Sequence, residues 1–210
     1  MPRQIESHML AGPAGRLEAL LEEPENAAPV ETALVCHPHP QHGGTMHNKV
    51  VYRLARGLRR NGIVVLRFNY RGVNLSEGAY GHGDGELEDA RAALAWLRAR
   101  YPDLPVTLAG FSFGARVVLR LACESTGISR VIAAGFPAAY RDGLDLSRCM
   151  TPKVFLHSTN DQFGSVEEIT QYVRMAQQPA KLQLVESGDH FFAGALDGLE
   201  AAVFDLGLTT

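Results

Sequence analysis

From residue 30 onward, short apolar runs alternate with longer stretches in which apolar residues recur every three or four positions. The runs are TALVCH (Thr32–His37), IVVLRFNY (Ile63–Tyr70), VTLAGF (Val106–Phe111), RVIAAGF (Arg130–Phe136), KVFLHS (Lys153–Ser158) and KLQLVE (Lys181–Glu186). Their length and composition predict strands. Between them, HNKVVYRLARGLRRNG places Val50, Val51, Leu54, Ala55 and Leu58 on one helical face and meets a stop at Gly62. GELEDARAALAWLRARYP brings Leu87, Ala90, Leu94 and Leu97 onto one face, with acids early and arginines late, as the helix dipole favours. Further helices are predicted after Ser112, over Val166–Ala176 and from Ala193 to Leu206.

Apolar strands alternating with amphipathic helices predict an α/β fold, a mostly parallel sheet with helices on both faces. RQIESHML and GRLEALLEE mix polar and apolar positions and read as an antiparallel edge pair. EEPENAAPVE (Glu22–Glu31) reads as a surface loop. No repeat, low-complexity tract or linker interrupts the pattern, so residues 1–210 are expected to form one domain.

Composition narrows the classes of partner. The net charge is −3 and the pI about 6.2, which makes no electrostatic case for nucleic acid or an anionic membrane. Arg56, Arg59 and Arg60 read as a solvated helix face. No apolar run approaches the roughly 18 residues of a membrane span, and MPRQIESHML lacks a secretory apolar core. Cys36, Cys123 and Cys149 form no CxxC pair and lie in or beside apolar segments. They read as buried thiols, and the protein as cytoplasmic.

The candidate chemistry lies at one strand–helix junction, Gly110-Phe111-Ser112-Phe113-Gly114. A Gly-x-Ser-x-Gly turn between a strand and a helix is a nucleophile elbow. The turn is sharp enough to need glycine two residues before and after the serine, and it lifts the hydroxyl clear of the sheet. A serine needs a base, and this fold supplies an acid and then a histidine later in the chain. Asp161 follows one predicted strand and His190 the next, so all three side chains fall at the same sheet edge. Asp189 is a rival acid, disfavoured because adjacent side chains rarely face each other. His157 is a rival base, but it precedes the acid. The oxyanion donors are expected to be the N–H of Phe113 and the N–H of His39, which lies between Pro38 and Pro40.

His37, His39, His42 and His47 crowd eleven residues and raise a metal reading. No Asp, Glu or Cys lies between them, so hydrogen-bonded positioning of the loop is preferred, and no metal or cofactor is expected.

The motifs CHPHPQHGGTMHNKVV, LRFNYRGVNLSEG, GFSFGA, NDQFGSVEE and GDHFFAG, spread over residues 30–195, resemble those of small, lidless serine hydrolases of the α/β-hydrolase superfamily, in the branch near dienelactone hydrolases. Dienelactone hydrolases use cysteine where this chain has Ser112, and Asn74 stands where relatives carry glycine. The RGVNLSEG loop reads as scaffold, and GHGDG lacks the context of a dinucleotide site. The connection Pro137–Thr151 has 15 residues, room for a loop and one short helix but not a cap domain. The resemblance implies a serine esterase acting on a small-molecule ester in an open cleft walled by Phe113, Phe163 and Phe191 with Tyr140 nearby. Thioester, lactone and amide hydrolysis use the same groups. A noncatalytic binding protein and a metal-dependent hydrolase built on the histidine cluster are the competing classes. An exposed edge strand leaves a homodimer open.

Overall fold

The computed structural model describes residues 5–24, 28–140 and 144–208. Strands β1 (Ile5–Gly12) and β2 (Gly15–Glu22) form the expected edge hairpin, followed by β3 (Glu31–Cys36), α1 (Lys49–Arg60), β4 (Ile63–Phe68) and α2 (Asp84–Arg100). Then come β5 (Val106–Phe111), α3 (Phe113–Glu124), β6 (Ile128–Ala134), β7 (Lys153–Ser158), α4 (Val166–Met175), β8 (Ala180–Val185) and α5 (Leu196–Asp205). Asn48 caps α1 and Ser165 caps α4, each through a side-chain oxygen on free N–H groups.

The eight strands lie in the order β1-β2-β4-β3-β5-β6-β7-β8. Pairing is antiparallel at β1–β2 and β2–β4 and parallel from there on. Alternation along the strands divides the core in two. Leu34, Leu66, Leu108 and Phe155 meet α2, α3 and α4 on one face. Val35, Val65, Ala109 and Leu156 meet α1 and α5 on the other. Both faces are covered, which is why the central strands read as continuous apolar runs.

Three expectations change on contact with the structure. Arg59 is not on a solvated face: it is buried and pairs with Glu22, which also receives Arg67 Nε at 2.7 Å. Arg56 and Arg60 reach the buried Glu200 of α5 at 3.4 and 3.3 Å. Packing of α1 against the sheet and α5 turns Arg59 inward, while Arg56 and Arg60 stay exposed as the sequence suggested. Cys123 and Cys149 are joined in a disulfide, because the end of α3 comes within 4.9 Å (Cα–Cα) of the segment before β7. Cys36 alone is a free buried thiol, and burial pushes its pKa up to about 12. In Pro137–Thr151 the described residues form turns rather than a short helix; residues 141–143 lie outside the described set, as do residues 25–27 of the predicted Glu22–Glu31 loop.

Among the described residues no helix is long and apolar enough to cross a membrane. The RGVNLSEG loop acts as scaffold. Asn74 takes the left-handed backbone at φ 49, Glu77 receives Arg16 of β2, and Arg71 pairs with the buried Asp89 of α2.

Candidate active site

Ser112 sits between β5 and α3 at φ 56, ψ −116, a strained conformation for a residue with a Cβ. The strain is held by the strand and helix on either side. The Ser112 N–H donates to Ala134 O at 2.9 Å, and Ser112 O accepts from Ala115 N–H. The two glycines are required by space. A Cβ on Gly110 would meet Gly114 O at 2.3 Å, and one on Gly114 would meet Cys36 O at 2.3 Å.

The structure brings all three polar candidates together. His190 Nε2 is 2.9 Å from Ser112 Oγ, and His190 Nδ1 is 2.7 Å from Asp161 Oδ2. A carboxylate only accepts, so Nδ1 carries the hydrogen and Nε2 is left to accept the serine hydroxyl. Asp161 Oδ1 accepts the Phe163 N–H at 2.8 Å, and the His190 N–H donates to Gln162 Oε1 at 3.0 Å. Phe111, Phe163 and Phe191 pack about the imidazole with ring centroids 4.9, 4.7 and 5.3 Å away. The ring is thereby aimed by hydrogen bonds and confined by aromatics.

The rivals have other work. Asp189 Oδ1 accepts the N–H groups of Phe191 and Ala193 and so shapes the turn that carries His190. His157 is fully buried, with its Nε2 donating to the carbonyl oxygen of Gly164 at 2.8 Å.

Phe113 and His39 both line the cleft beside Ser112, with ring centroids 5.0 Å apart. Among the described residues neither backbone N–H has a protein acceptor. Phe113 N–H is at the first turn of α3, where helix amides lack partners. The His39 ring is fixed on both sides: Nδ1 accepts from Gln41 N–H and Nε2 meets Tyr80 OH, each at 3.2 Å. Burial, and then the neighbouring His42, lower its pKa.

The histidine cluster does not converge. His37 turns inward: Nδ1 donates to Pro38 O at 2.7 Å and Nε2 accepts Tyr70 N–H at 3.1 Å. Burial lowers its pKa to about 4. His47 is exposed, its N–H bonded to Thr45 Oγ1. Among the described residues no three His, Cys, Asp or Glu side chains are grouped to hold a metal ion.

The cleft over Ser112 encloses about 530 Å³ and is open to solvent. Phe163, Phe191 and Tyr140 line it, the last two half-exposed at 49% and 56%. Sequence reasoning missed Tyr80, His82, Arg116 and Arg120, which also line it. The arginines were findable, since positions four and eight after Ser112 share its face of the helix. Tyr80 and His82 lie in the GAYGHGDG stretch, which carries no periodic pattern and is placed only by tertiary folding.

A family model described as an alpha/beta hydrolase domain matches residues 32–197. A protein of Rickettsia prowazekii, described as uncharacterized, is 35% identical over 208 residues, covering 94% of this chain and 87% of its own. An alpha-beta serine hydrolase homologue from Coxiella burnetii superposes with a TM-score of 0.91 at 33% identity, with 96% of each chain covered. A Xanthomonas campestris protein described as a serine hydrolase without a lid superposes with a TM-score of 0.90 at 36% identity, covering 99% of this chain and 95% of that one.

Proposed function

The chain belongs to the alpha/beta hydrolase family, and from that premise we propose that it is a carboxylic ester hydrolase working through Ser112, His190 and Asp161. The observation that carries the reading is the continuous hydrogen-bonded line Asp161–His190–Ser112, ending at the floor of an open cleft.

In this mechanism His190 Nε2 takes the Ser112 proton as Oγ attacks the ester carbonyl. Asp161 holds the tautomer and stabilises the imidazolium as it forms. The tetrahedral oxyanion is met by the N–H groups of Phe113 and His39, and the N-terminus of α3 favours the same charge. Collapse expels the alcohol, which receives the proton from His190. Water, activated by His190, then attacks the acyl-enzyme by the same route in reverse and frees the acid and Ser112.

The experiment is labelling with a fluorophosphonate, followed by assay on a panel of p-nitrophenyl esters. The expected result is a single adduct on Ser112 and loss of esterase activity in proportion to labelling. An intact Ser112 with ester turnover that persists after treatment overturns the proposal.

A further inference from the structure

His37 follows the last residue of β3 and is fully buried. Both of its ring nitrogens meet backbone groups. Nε2 is 3.1 Å from the nitrogen of Tyr70, and a backbone N–H only donates, so Nε2 is bare. Nδ1 therefore carries the hydrogen, and it donates to Pro38 O at 2.7 Å.

Pro38 O belongs to the same peptide unit as the N–H of His39. That peptide is trans, so its carbonyl and its N–H point in opposite directions. The carbonyl points inward to the buried His37. The N–H is thereby turned outward, to the cleft that His39 lines. Among the described residues the bond from His37 is the one hydrogen bond on this peptide. The next carbonyl, His39 O, is held by the N–H groups of His42 and Gly44 at 3.0 and 3.1 Å. The two oxyanion donors thus differ in what fixes them. Phe113 N–H is aimed by the helix it begins. His39 N–H lies in a loop, where Pro38 restrains its own φ but leaves the following peptide free to rotate. A hydrogen bond to Pro38 O removes that freedom.

His37 is itself fixed relative to the nucleophile. The first turn of α3 packs on the chain at this point: a Cβ on Gly114 would meet Cys36 O and His37 O at 2.3 and 2.6 Å. The buried Tyr70 ring packs on both His37 and Phe113, with centroids 4.4 and 5.7 Å away. One histidine beneath the loop is therefore held against the turn that carries Ser112.

We propose that His37 is a positioning residue of the oxyanion site: it holds the Pro38 carbonyl so that the N–H of His39 faces the substrate oxyanion. It touches no substrate and moves no proton in the reaction. The proposal rests on the reading of that N–H as an oxyanion donor.

The test compares the wild type with His37→Leu, which has no hydrogen for Pro38 O, and His37→Asn, whose amide can place an N–H near the position of Nδ1. The probe is a trifluoromethyl ketone. Ser112 Oγ adds to its carbonyl carbon, the hydroxyl proton passes to His190, and the carbonyl electron pair becomes an oxyanion at the two amides. In the wild type at neutral pH, nitrogen NMR should find the hydrogen of His37 on Nδ1, and the His39 amide proton should move downfield when the ketone binds. In His37→Leu, kcat on p-nitrophenyl acetate should fall about 10- to 100-fold, less than the roughly 10²–10³-fold cost of removing a donor outright. KM should stay within about threefold of wild type, because the interaction is made in the transition state. Affinity for the ketone should fall by the same factor as kcat, and the His39 downfield shift should be lost. His37→Asn should recover most of both.

A His37→Leu variant that loses Tm but keeps kcat, ketone affinity and the His39 shift has lost only a packing group and overturns the proposal. So does a hydrogen on Nε2 of His37 in the wild type, and that measurement decides alone if the variants do not fold. Absence of the His39 shift in the wild type removes His39 as a donor and this proposal with it. Failure of the hydrolase reading shows separately, as absence of fluorophosphonate labelling at Ser112.

Discussion

Gly114, on the first turn of α3, rests against the carbonyl of Cys36 at the end of β3, so that a Cβ there would stand 2.3 Å from the oxygen. Neither partner yields cheaply, because β3 is paired on both sides, with β4 and with β5. Gly114→Ala should therefore push α3 away from the sheet and shift Ser112. The expected cost is about 1–3 kcal/mol of stability, measured by urea unfolding, with a loss of kcat on p-nitrophenyl acetate. A variant with wild-type stability and rate would show that the elbow is not under this constraint.

Ser112→Ala should fold and lose turnover on the order of 10⁴–10⁶-fold. Asp161→Asn should also be severely impaired, on the order of 10⁴-fold, because an amide can present N–H to His190 and select the wrong tautomer. Steady-state assay of purified variants with matched circular dichroism is the check. Retention of wild-type rates by Ser112→Ala would remove the nucleophile.

The short Pro137–Thr151 connection, and the exposed Tyr140 and Phe191 at the cleft, leave little apolar wall for a long acyl chain. At roughly 25 cal/mol per Å² buried, the gain per methylene should end early. Short acyl esters should be preferred, with no rate jump at the micellar concentration. An optimum at long chains, or interfacial activation, would require an enclosed acyl site or a moving lid.

The buried His37 links stability to pH. Its folded pKa, lowered to about 4 by burial, is below the ordinary value of 6.5. Between these values the unfolded chain binds a proton that the folded chain refuses, so stability rises with pH across this window. The contribution is complete above about pH 6.5 and is lost as pH falls to about 4, with an upper limit near 3 kcal/mol. Thermal melts of wild type and His37→Gln from pH 4 to 7.5 test this: the variant should show a shallower slope. Parallel curves would mean that His37 is not the group responsible.

Glu22 is buried between Arg59 and Arg67. Replacing it with glutamine removes the buried carboxylate charge to which both guanidinium groups are bonded. Glu22→Gln should cost about 3–5 kcal/mol in urea unfolding. A loss below about 1 kcal/mol would show that water reaches the cluster.

Much of this was legible along the chain, for local reasons. The covered sheet announces itself because its strands are buried on both faces and so must be apolar at successive positions. The elbow announces itself because Gly110 and Gly114 are demanded by contacts within a few residues, or across one neighbouring strand. Asp161 and His190 were reachable because topology puts successive strand ends at one edge. Other features had no local signal. Arg59 looks like a surface arginine because its partner, Glu22, is 37 residues away in sequence. Cys123 and Cys149 look like separate thiols because α3 and the segment before β7 meet only in the fold. The sequence by itself therefore determined the layered α/β architecture, the strained serine turn and the order of acid and histidine, all set by periodicity, backbone sterics and chain order. Only the tertiary structure decided which charges were paired and buried and which side chains walled the cleft, because such distances depend on how segments remote in the chain pack.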